Sequence, residues 1–221
     1  MTIKFLGQNG FILTTKQSKI IIDPYLSNSV YKKAGRNRLL PIVINPKNIN
    51  CDAVICTHNH LDHLDPDTIK EISSRLFITT ESGKEEIEKL GKKNVKALKP
   101  NSSITVGDIT ITAVFAKHTT EAFGLIIKAE EKTLYFSGDT LFSEKLFDIK
   151  NFNPNITFIC INGKLGNMNV TEALTVAKKI GAKINIPCHY DMFESNKEDP
   201  HAFADNIDGG KILLFNKSYT F

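Results

Sequence analysis

The stretch that most restricts the fold of this chain is the apolar run DAVICT, residues 52–57, which leads directly into HNHLDH, residues 58–63. A near-continuous apolar run of this length is typical of a strand buried on both faces of a sheet. Immediately after it come His58, His60, Asp62 and His63. Because loops at strand ends are free to carry polar groups, this pattern predicts a buried sheet with a functional site at its edge.

Three other apolar runs also end at a residue that can bind a metal ion. TITAVFAK is followed by His118, LYFSG by Asp139 and INIPC by His189. Taken alone, a histidine after a strand is often a capping or solvent-facing residue, and Asp139 would suit the N-cap of a helix beginning at Thr140. Imidazoles and carboxylates are sound ligands for Zn, Mn and Fe. Together with the HxHxDH cluster, these strand ends therefore predict a metal site that suits two adjacent ions better than one.

Short strand-like runs dominate the chain, and helical periodicity is clear in few places. The predicted strands are residues 3–7, 10–15, 19–24, 52–57, 75–80, 103–106, 108–116, 122–129, 132–138, 157–162, 182–188 and 211–215. The predicted helices are residues 81–91, 169–181 and 199–207. In the second, Asn169 and Glu172 resemble a capping box and Gly181 suits the C-terminal cap. A meander followed by a β-α-β unit predicts one domain over residues 1–221, with two sheets and helices outside them.

Charge and cysteine usage exclude several classes of partner. A net charge of +4 on 221 residues does not favour nucleic acid, although it tolerates an anionic small molecule. No apolar run approaches the ~20 residues of a membrane span, and the N-terminal stretch lacks the apolar core of a signal peptide. The cysteines form no CxxC pair and are flanked by apolar residues, which predicts buried thiols and a cytoplasmic protein: Cys51, Cys56, Cys160 and Cys188.

The order and separation of HxHxDH, His118, Asp139 in SGDT and His189 resemble the metallo-β-lactamase superfamily over nearly the whole chain. That resemblance implies an α/β (α+β) fold, the four-layer αββα sandwich, and two divalent ions, Zn or Mn before Fe. The implied ligands are His58, His60 and His118 for one ion, Asp62, His63 and His189 for the other, and Asp139 as the bridge between them.

Superfamily membership implies a type of reaction rather than a substrate. Two adjacent ions activate a water molecule and stabilise the charge that develops on the attacked oxygen. The expected chemistry is hydrolysis of an ester, lactone, thioester, amide or phosphodiester. The catalytic candidates are Asp62, which would orient the water and handle a proton in addition to binding metal, and His118.

Three further stretches narrow the resemblance to one branch. LGQNGFIL, INGKLGNMNVTEAL and IPCHYDMFESNKEDPHAFAD are similar to the ascorbate-6-phosphate lactonase branch. Members of that branch are bacterial cytosolic hydrolases that open the lactone of a sugar-acid phosphate with a divalent metal, plausibly manganese. The resemblance therefore implies a small, anionic substrate for this chain.

Residues next to the ligands are candidates for substrate contacts. Asn162, Lys164 and Asn167 follow a buried strand and precede a helix, so they could face the mouth of the site. Lys164 could pair with a phosphate or carboxylate, or remain a solvated loop lysine. Tyr190 and Asp191 follow His189, and either could contact substrate. For Asp191 we favour a hydrogen bond that holds His189.

The stretch YKKAGRNRLLP, residues 31–41, carries four cations without clear periodicity. Long irregular loops in compact domains are often functional, so this segment is either a lid whose Arg36 attracts anionic substrates or an exposed charged loop.

Other functions remain open at this point. A metal-dependent phosphodiesterase or a hydrolase of another small ester would use the same ligands. A di-iron protein that handles oxygen or nitric oxide usually needs a flavin domain, for which this chain has no room. A non-catalytic binding module is disfavoured because the ligand set is intact. Homo-oligomers are common among such enzymes, but no surface seam is visible in the sequence.

Overall fold

The computed structural model describes residues 1–221 and contains two mixed β-sheets. The first sheet has the order β13-β1-β2-β3-β4-β5-β6, formed by Ser218–Thr220, Thr2–Gly7, Gly10–Thr14, Lys19–Ile22, Asn50–Ile55, Ser73–Thr79 and Val95–Ala97. The second has the order β12-β11-β10-β9-β8-β7, formed by Ile184–Cys188, Ile156–Cys160, Lys132–Phe136, Phe123–Ala129, Ile109–Phe115 and Ser103–Val106.

In each sheet, the strands that come first in the sequence pair antiparallel and those that come later pair parallel. Strands β1 to β3 pair antiparallel and β3 to β6 parallel. In the second sheet, β7 to β10 pair antiparallel and β10 to β12 parallel. Parallel neighbours direct their carboxyl ends to one edge of a sheet, so the residues that follow β4, and those that follow β10 and β12, can meet there.

The two sheets pack face to face around one large apolar core. Phe11 of the first sheet contacts Phe136 and Phe158 of the second, with ring centroids 5.2 and 4.9 Å apart. All three rings are buried, and burial of a side chain of this size stabilises a fold by about 1.5–3 kcal/mol. This interdigitation makes the two sheets the inner layers of a sandwich.

Helices cover both outer faces. On the first sheet, α2 (Pro66–Glu71) and α3 (Glu81–Lys89) bury Ile69 and Ile87 against Val54. On the second, α4 (Val170–Ile180), α5 (Pro200–Ala204) and a 3-10 helix, Glu144–Phe152, complete the outer layer. The expected αββα sandwich is confirmed. The capping box at the start of α4 is also present, as are the four buried, free cysteines.

Several segments differ from the sequence-based predictions, and α2, β6 and the 3-10 helix Glu144–Phe152 were not among the predicted elements. Residues 211–215 do not form a strand; Leu213 is buried and Leu214 is 61% exposed. A turn from Leu214 to Lys217 follows, and the strand that pairs with β1 is β13 instead. The stretch 31–41 is not wholly irregular either, because it begins inside α1 (Ser29–Ala34), which ends at Gly35 in the left-handed conformation. No helix is both long and apolar enough to cross a bilayer.

Candidate metal centre

The structure brings all of the predicted ligands together at one edge of the sandwich, where β4, β8, β10 and β12 end. They form two groups, and in each group the candidate donor atoms lie within 4.8 Å of one another. We call these groups the first ligand set and the second ligand set. The first set is His58, His60, His118 and Asp139, and the second set is Asp62, His63 and His189.

Asp139 lies between the two sets and faces both. Its Oδ1 is 3.3 Å from Nε2 of His63 and 3.3 Å from Nε2 of His189. Its Oδ2 is 3.8 Å from Nε2 of His118 and 4.0 Å from Nε2 of His58. One carboxylate therefore presents a different oxygen to each set, which is the arrangement that a bridging ligand requires.

One structural observation, independent of the family resemblance, indicates that these donors fit divalent ions. His58 is fully buried, yet its Nε2 has no hydrogen-bond partner. A buried polar atom without a partner is costly, whereas a cation among neutral imidazoles and carboxylates would satisfy it. Nitrogen and oxygen donors of this kind suit Zn, Mn and Fe alike.

Three histidines have a hydrogen bond on the ring nitrogen that faces away from the cluster. In His58 that atom, Nδ1, lies 3.2 Å from the Thr57 hydroxyl. His63 Nδ1–H donates to Asp23 Oδ2 at 2.8 Å, and His118 Nδ1–H donates to the carbonyl oxygen of Gly166 at 3.0 Å. Each Nε2 then keeps its lone pair directed into the cluster. Asp23 is fixed in turn by Thr57, whose backbone N–H and hydroxyl both donate to it.

The turn between β1 and β2 supplies two amides to the ligand carboxylates. Gln8 Nε2 donates to Asp62 Oδ2 at 2.5 Å and to His189 Nε2 at 3.0 Å, while Asn9 Nδ2 donates to Asp139 Oδ1 at 2.9 Å. The backbone N–H of His189 also donates to the Gln8 carbonyl at 2.9 Å. Sequence reasoning assigned no role to Gln8, Asn9 or Asp23. The polar pair inside GQNG and the aspartate that closes KIIIDP were the available signals.

Burial and charge separate the histidines into two kinds. Burial lowers the pKa of His58 well below its usual value and also lowers the pKa of His60, so both favour the neutral form that binds metal. Burial opposes charge at His63 as well, but the carboxylates of Asp139, Asp23 and Asp62 raise its pKa well above the usual value. The position of His63 therefore favours a positive charge.

The second set shows the same electrostatics. Burial would lower the pKa of His189, but Asp139 and Asp62 raise it to about 9. Burial would likewise raise the pKa values of Asp62 and Asp139, but the neighbouring histidines lower both, so the carboxylates stay ionised. Three carboxylates around two imidazoles make this part of the cluster a site that stabilises cations.

A cavity of about 470 Å³ opens over both sets and reaches His60, Asp62, Asp139 and His189. Arg36 lines it, as the sequence-based hypothesis for this residue requires. A larger concavity of about 680 Å³ lies between α4 and α5, but it contains no ligand cluster. The cavity over the ligands is therefore the one that can present a substrate to the metal centre.

The other candidate substrate contacts do not line this cavity. Asn162 and Asn167 are buried, and Asn162 Nδ2 donates to the carbonyl of Lys164 at 3.3 Å. Lys164 itself is exposed outside the cavity. These three residues lie in the turn between β11 and α4, outside the lining of the cavity.

The two residues after His189 also differ from expectation. Tyr190 is buried against Phe5, with ring centroids 6.4 Å apart. The prediction that Asp191 hydrogen-bonds to His189 is wrong. Asp191 Oδ1 faces the backbone N–H of Gln8 at 3.5 Å instead, and His189 Nδ1 has no hydrogen-bond partner. His189 has positive φ (61°), a left-handed conformation that is uncommon for residues other than glycine.

An αββα sandwich with a histidine–aspartate cluster between its sheet ends defines a class of metal-binding proteins. A family model described as "Beta-lactamase superfamily domain" matches residues 18–190, and the chain belongs to this family. A protein of Oenococcus oeni named UPF0173 metal-dependent hydrolase is 26% identical, over 100% of both chains.

Two solved structures resemble the whole chain at 20% identity and cover 100% of it and 99% of their own chains. A possible metal-dependent hydrolase from Veillonella parvula has a TM-score of 0.84, and an isothiocyanate hydrolase from Delia radicum gut bacteria one of 0.83. At this level of identity they show that the metallo-β-lactamase fold is shared.

Proposed function

We propose that this protein is a metal-dependent hydrolase that uses two divalent ions, Zn or Mn, to cleave a small carboxylic ester or lactone. The observation that carries the proposal is the position of Asp139, whose two oxygens face two separate ligand sets. The metal-dependent hydrolase name of the Oenococcus oeni relative supports the reaction type.

In this proposal His58, His60 and His118 hold one ion, Asp62, His63 and His189 hold the other, and Asp139 contributes to both. The ions would supply Lewis acidity and lower the pKa of a water molecule at the cluster. Hydrolysis then adds the hydroxyl of that water to the acyl carbon and transfers its proton to the departing alkoxide.

Asp62 is the group we assign to the proton transfer. It borders the cavity, and Gln8 Nε2 fixes its Oδ2 by a hydrogen bond. A carboxylate oriented in this way can accept a proton from the attacking water and return it to the leaving group. His118 holds its Nε2 lone pair towards the ligand cluster because its Nδ1–H donates to the Gly166 carbonyl.

Within this class, the lactone of a sugar-acid phosphate is the finer expectation from the sequence. Its support in the structure is Arg36, the cation on the cavity wall that could pair with a phosphate. Lys164, Asn162 and Asn167 lie outside the cavity and add nothing to such a contact.

The test is turnover by protein that has been stripped with a chelator and reloaded with Zn or Mn. The substrates are ascorbate 6-phosphate, a simple γ-lactone, p-nitrophenyl acetate and bis-p-nitrophenyl phosphate. We expect metal-dependent cleavage of a lactone or ester, abolished by His58→Ala and retained by His201→Ala, an exposed histidine of α5. Activity that survives chelation and His58→Ala would contradict the proposal, and cleavage of the phosphodiester alone would favour a phosphodiesterase.

A further inference from the structure

The walls of the cavity above the metal centre are mostly apolar. Val30 of α1, Leu61 from the ligand loop, Leu165 from the turn before α4 and Phe193 all line it. Specific small-molecule pockets usually combine apolar walls with a few polar groups that fix orientation. The polar groups here are the ligands at the floor, together with Thr119, Asn196 and Arg36.

Leu165 is the wall residue that the fold itself does not explain. It is 55% exposed and has φ of 54°, a left-handed conformation that disfavours leucine and suits glycine or asparagine. The next residue, Gly166, accepts the hydrogen bond from His118. The turn therefore holds an exposed apolar side chain over the metal centre at a position where a polar residue would fit the backbone better.

Arg36 is the one arginine or lysine that lines the cavity. It is exposed and makes neither a salt bridge nor a hydrogen bond to the protein. Arg38, two residues further on, donates to the carbonyl oxygens of Leu40, Tyr25 and Ser27. It also pairs with Phe193 in a β-bridge, which anchors the segment after α1 beside the cavity. Arg38 thus has a structural role, whereas the Arg36 guanidinium is available to an anionic group.

From this distribution of walls and charge, we propose that the substrate is an acyl compound with an apolar body and one remote anionic group, rather than a polyhydroxylated sugar acid. The apolar body packs on Leu61, Leu165 and Phe193, and the anion meets Arg36. This inference rests on the proposed hydrolase function because it places the reacting carbonyl at the ligand sets. A sugar-acid phosphate would match Arg36 but would bury its hydroxyl groups against apolar walls.

The test is equilibrium binding of three six-carbon acids to zinc-loaded protein, measured by titration calorimetry. Hexanoate is apolar, gluconate carries hydroxyl groups on a chain of the same length, and adipate adds a second carboxylate. Each buried methylene strengthens binding by up to about fourfold, so we expect hexanoate to bind at least about tenfold more tightly than gluconate. We expect adipate to bind a further twofold to fivefold more tightly, roughly the value of an exposed ion pair.

Two pairs of variants locate these effects. Leu165→Asn suits the left-handed backbone and should narrow the hexanoate–gluconate difference to about threefold or less. Leu214→Asn, which changes an exposed leucine far from the cavity, should keep the full difference. Arg36→Gln should remove the preference for adipate, and Lys33→Gln, which changes an exposed lysine on the same segment, should keep it.

Equal binding of gluconate and hexanoate, or a difference that Leu165→Asn leaves intact, would overturn the inference. Binding does not require turnover, so the two proposals can fail separately. A protein that prefers hexanoate but cleaves no ester or lactone would contradict the hydrolase function alone. A protein that cleaves lactones but shows no preference for the apolar acid would contradict the substrate class alone.

Discussion

The two ligand sets differ in what holds them in place. In the second set, His63 donates to the side chain of Asp23, and His189 accepts from the side chain of Gln8. In the first set, His118 donates to the backbone carbonyl of Gly166. Both sets border the cavity, the first through His60 and Asp139 and the second through Asp62 and His189. Buried side chains therefore position the histidines of the second set, whereas His118 of the first set depends on the conformation of the turn before α4.

The electrostatic environments of the histidines also differ between the two sets. Burial lowers the pKa values of His58 and His60 in the first set, whereas carboxylates overcome burial and raise those of His63 and His189 in the second. His58 and His60 thus offer neutral nitrogen donors, whereas the carboxylates around the second set stabilise positive charge. We infer that separate substitutions can weaken one set without the other, except at the carboxylate that both share.

Asp139→Ala should have the largest effect because it removes the one ligand that faces both sets. We expect metal content to fall at both positions and kcat/KM to fall by on the order of 10³-fold or more. Metal analysis of the purified protein and steady-state kinetics would measure both. Asp205→Ala, an exposed aspartate beyond α5, is the matched control. Full metal content in Asp139→Ala would show that the two sets do not depend on a shared ligand.

Asp23→Asn should weaken the second set far more than the first, which Asp23 reaches only through the Thr57 hydroxyl beside His58. The substitution keeps the volume of the side chain but removes the carboxylate that accepts from His63 Nδ1 at 2.8 Å. Loss of such a supporting group typically costs about 10- to 100-fold in metal affinity. Titration against a competing chelator should show one weakened step and one nearly unchanged step. Asp148→Asn, at an exposed position in the 3-10 helix, should change neither. Equal weakening of both steps would mean that the sets act as one unit.

Gly166→Ala should perturb the first set by a smaller amount. A Cβ at this position would lie 2.8 Å from Nδ1 of His118, so the ring must shift. We expect about a tenfold loss of affinity at one ion, in addition to a backbone cost on the order of 1 kcal/mol. Gly91→Ala isolates that backbone cost, because Gly91 also has positive φ (84°) but has no atom within 4 Å of the new Cβ. If both variants bind metal equally well, the turn does not position His118.

The ligand residues were accessible to sequence reasoning because each follows an apolar run directly. HxHxDH places four of them within six positions, and His118, Asp139 and His189 each stand at the exit of another strand. Strand periodicity and strand exits are local signals, so they can be recognised in the sequence without knowledge of the tertiary structure. The sandwich followed from the same runs together with the resemblance.

The groups that support the ligands were not accessible in this way. Asp23 reaches His63 across 40 positions in sequence, and Gln8 reaches His189 across 181, so both contacts exist only after the sheets have formed. Ordinary turns contain the same polar residues as KIIIDP and GQNG, so the sequence did not reveal that these residues support the ligands. The same limitation explains Asp191, which follows His189 in sequence but turns towards Gln8.

Thiol labelling should show the smallest effect. It tests whether the sheets that carry the two ligand sets stay closed when the metal is removed. Burial raises the pKa values of Cys51 and Cys160 to about 11, far above that of a free thiol. Because only the thiolate reacts, a pKa above the assay pH means that neither thiol should be labelled by a disulfide reagent near about pH 8. We expect no labelling of native protein, with or without chelator, and four labelled cysteines after denaturation. Labelling of Cys51 after chelation alone would mean that β4, whose end leads to ligands of both sets, needs a bound ion to stay closed.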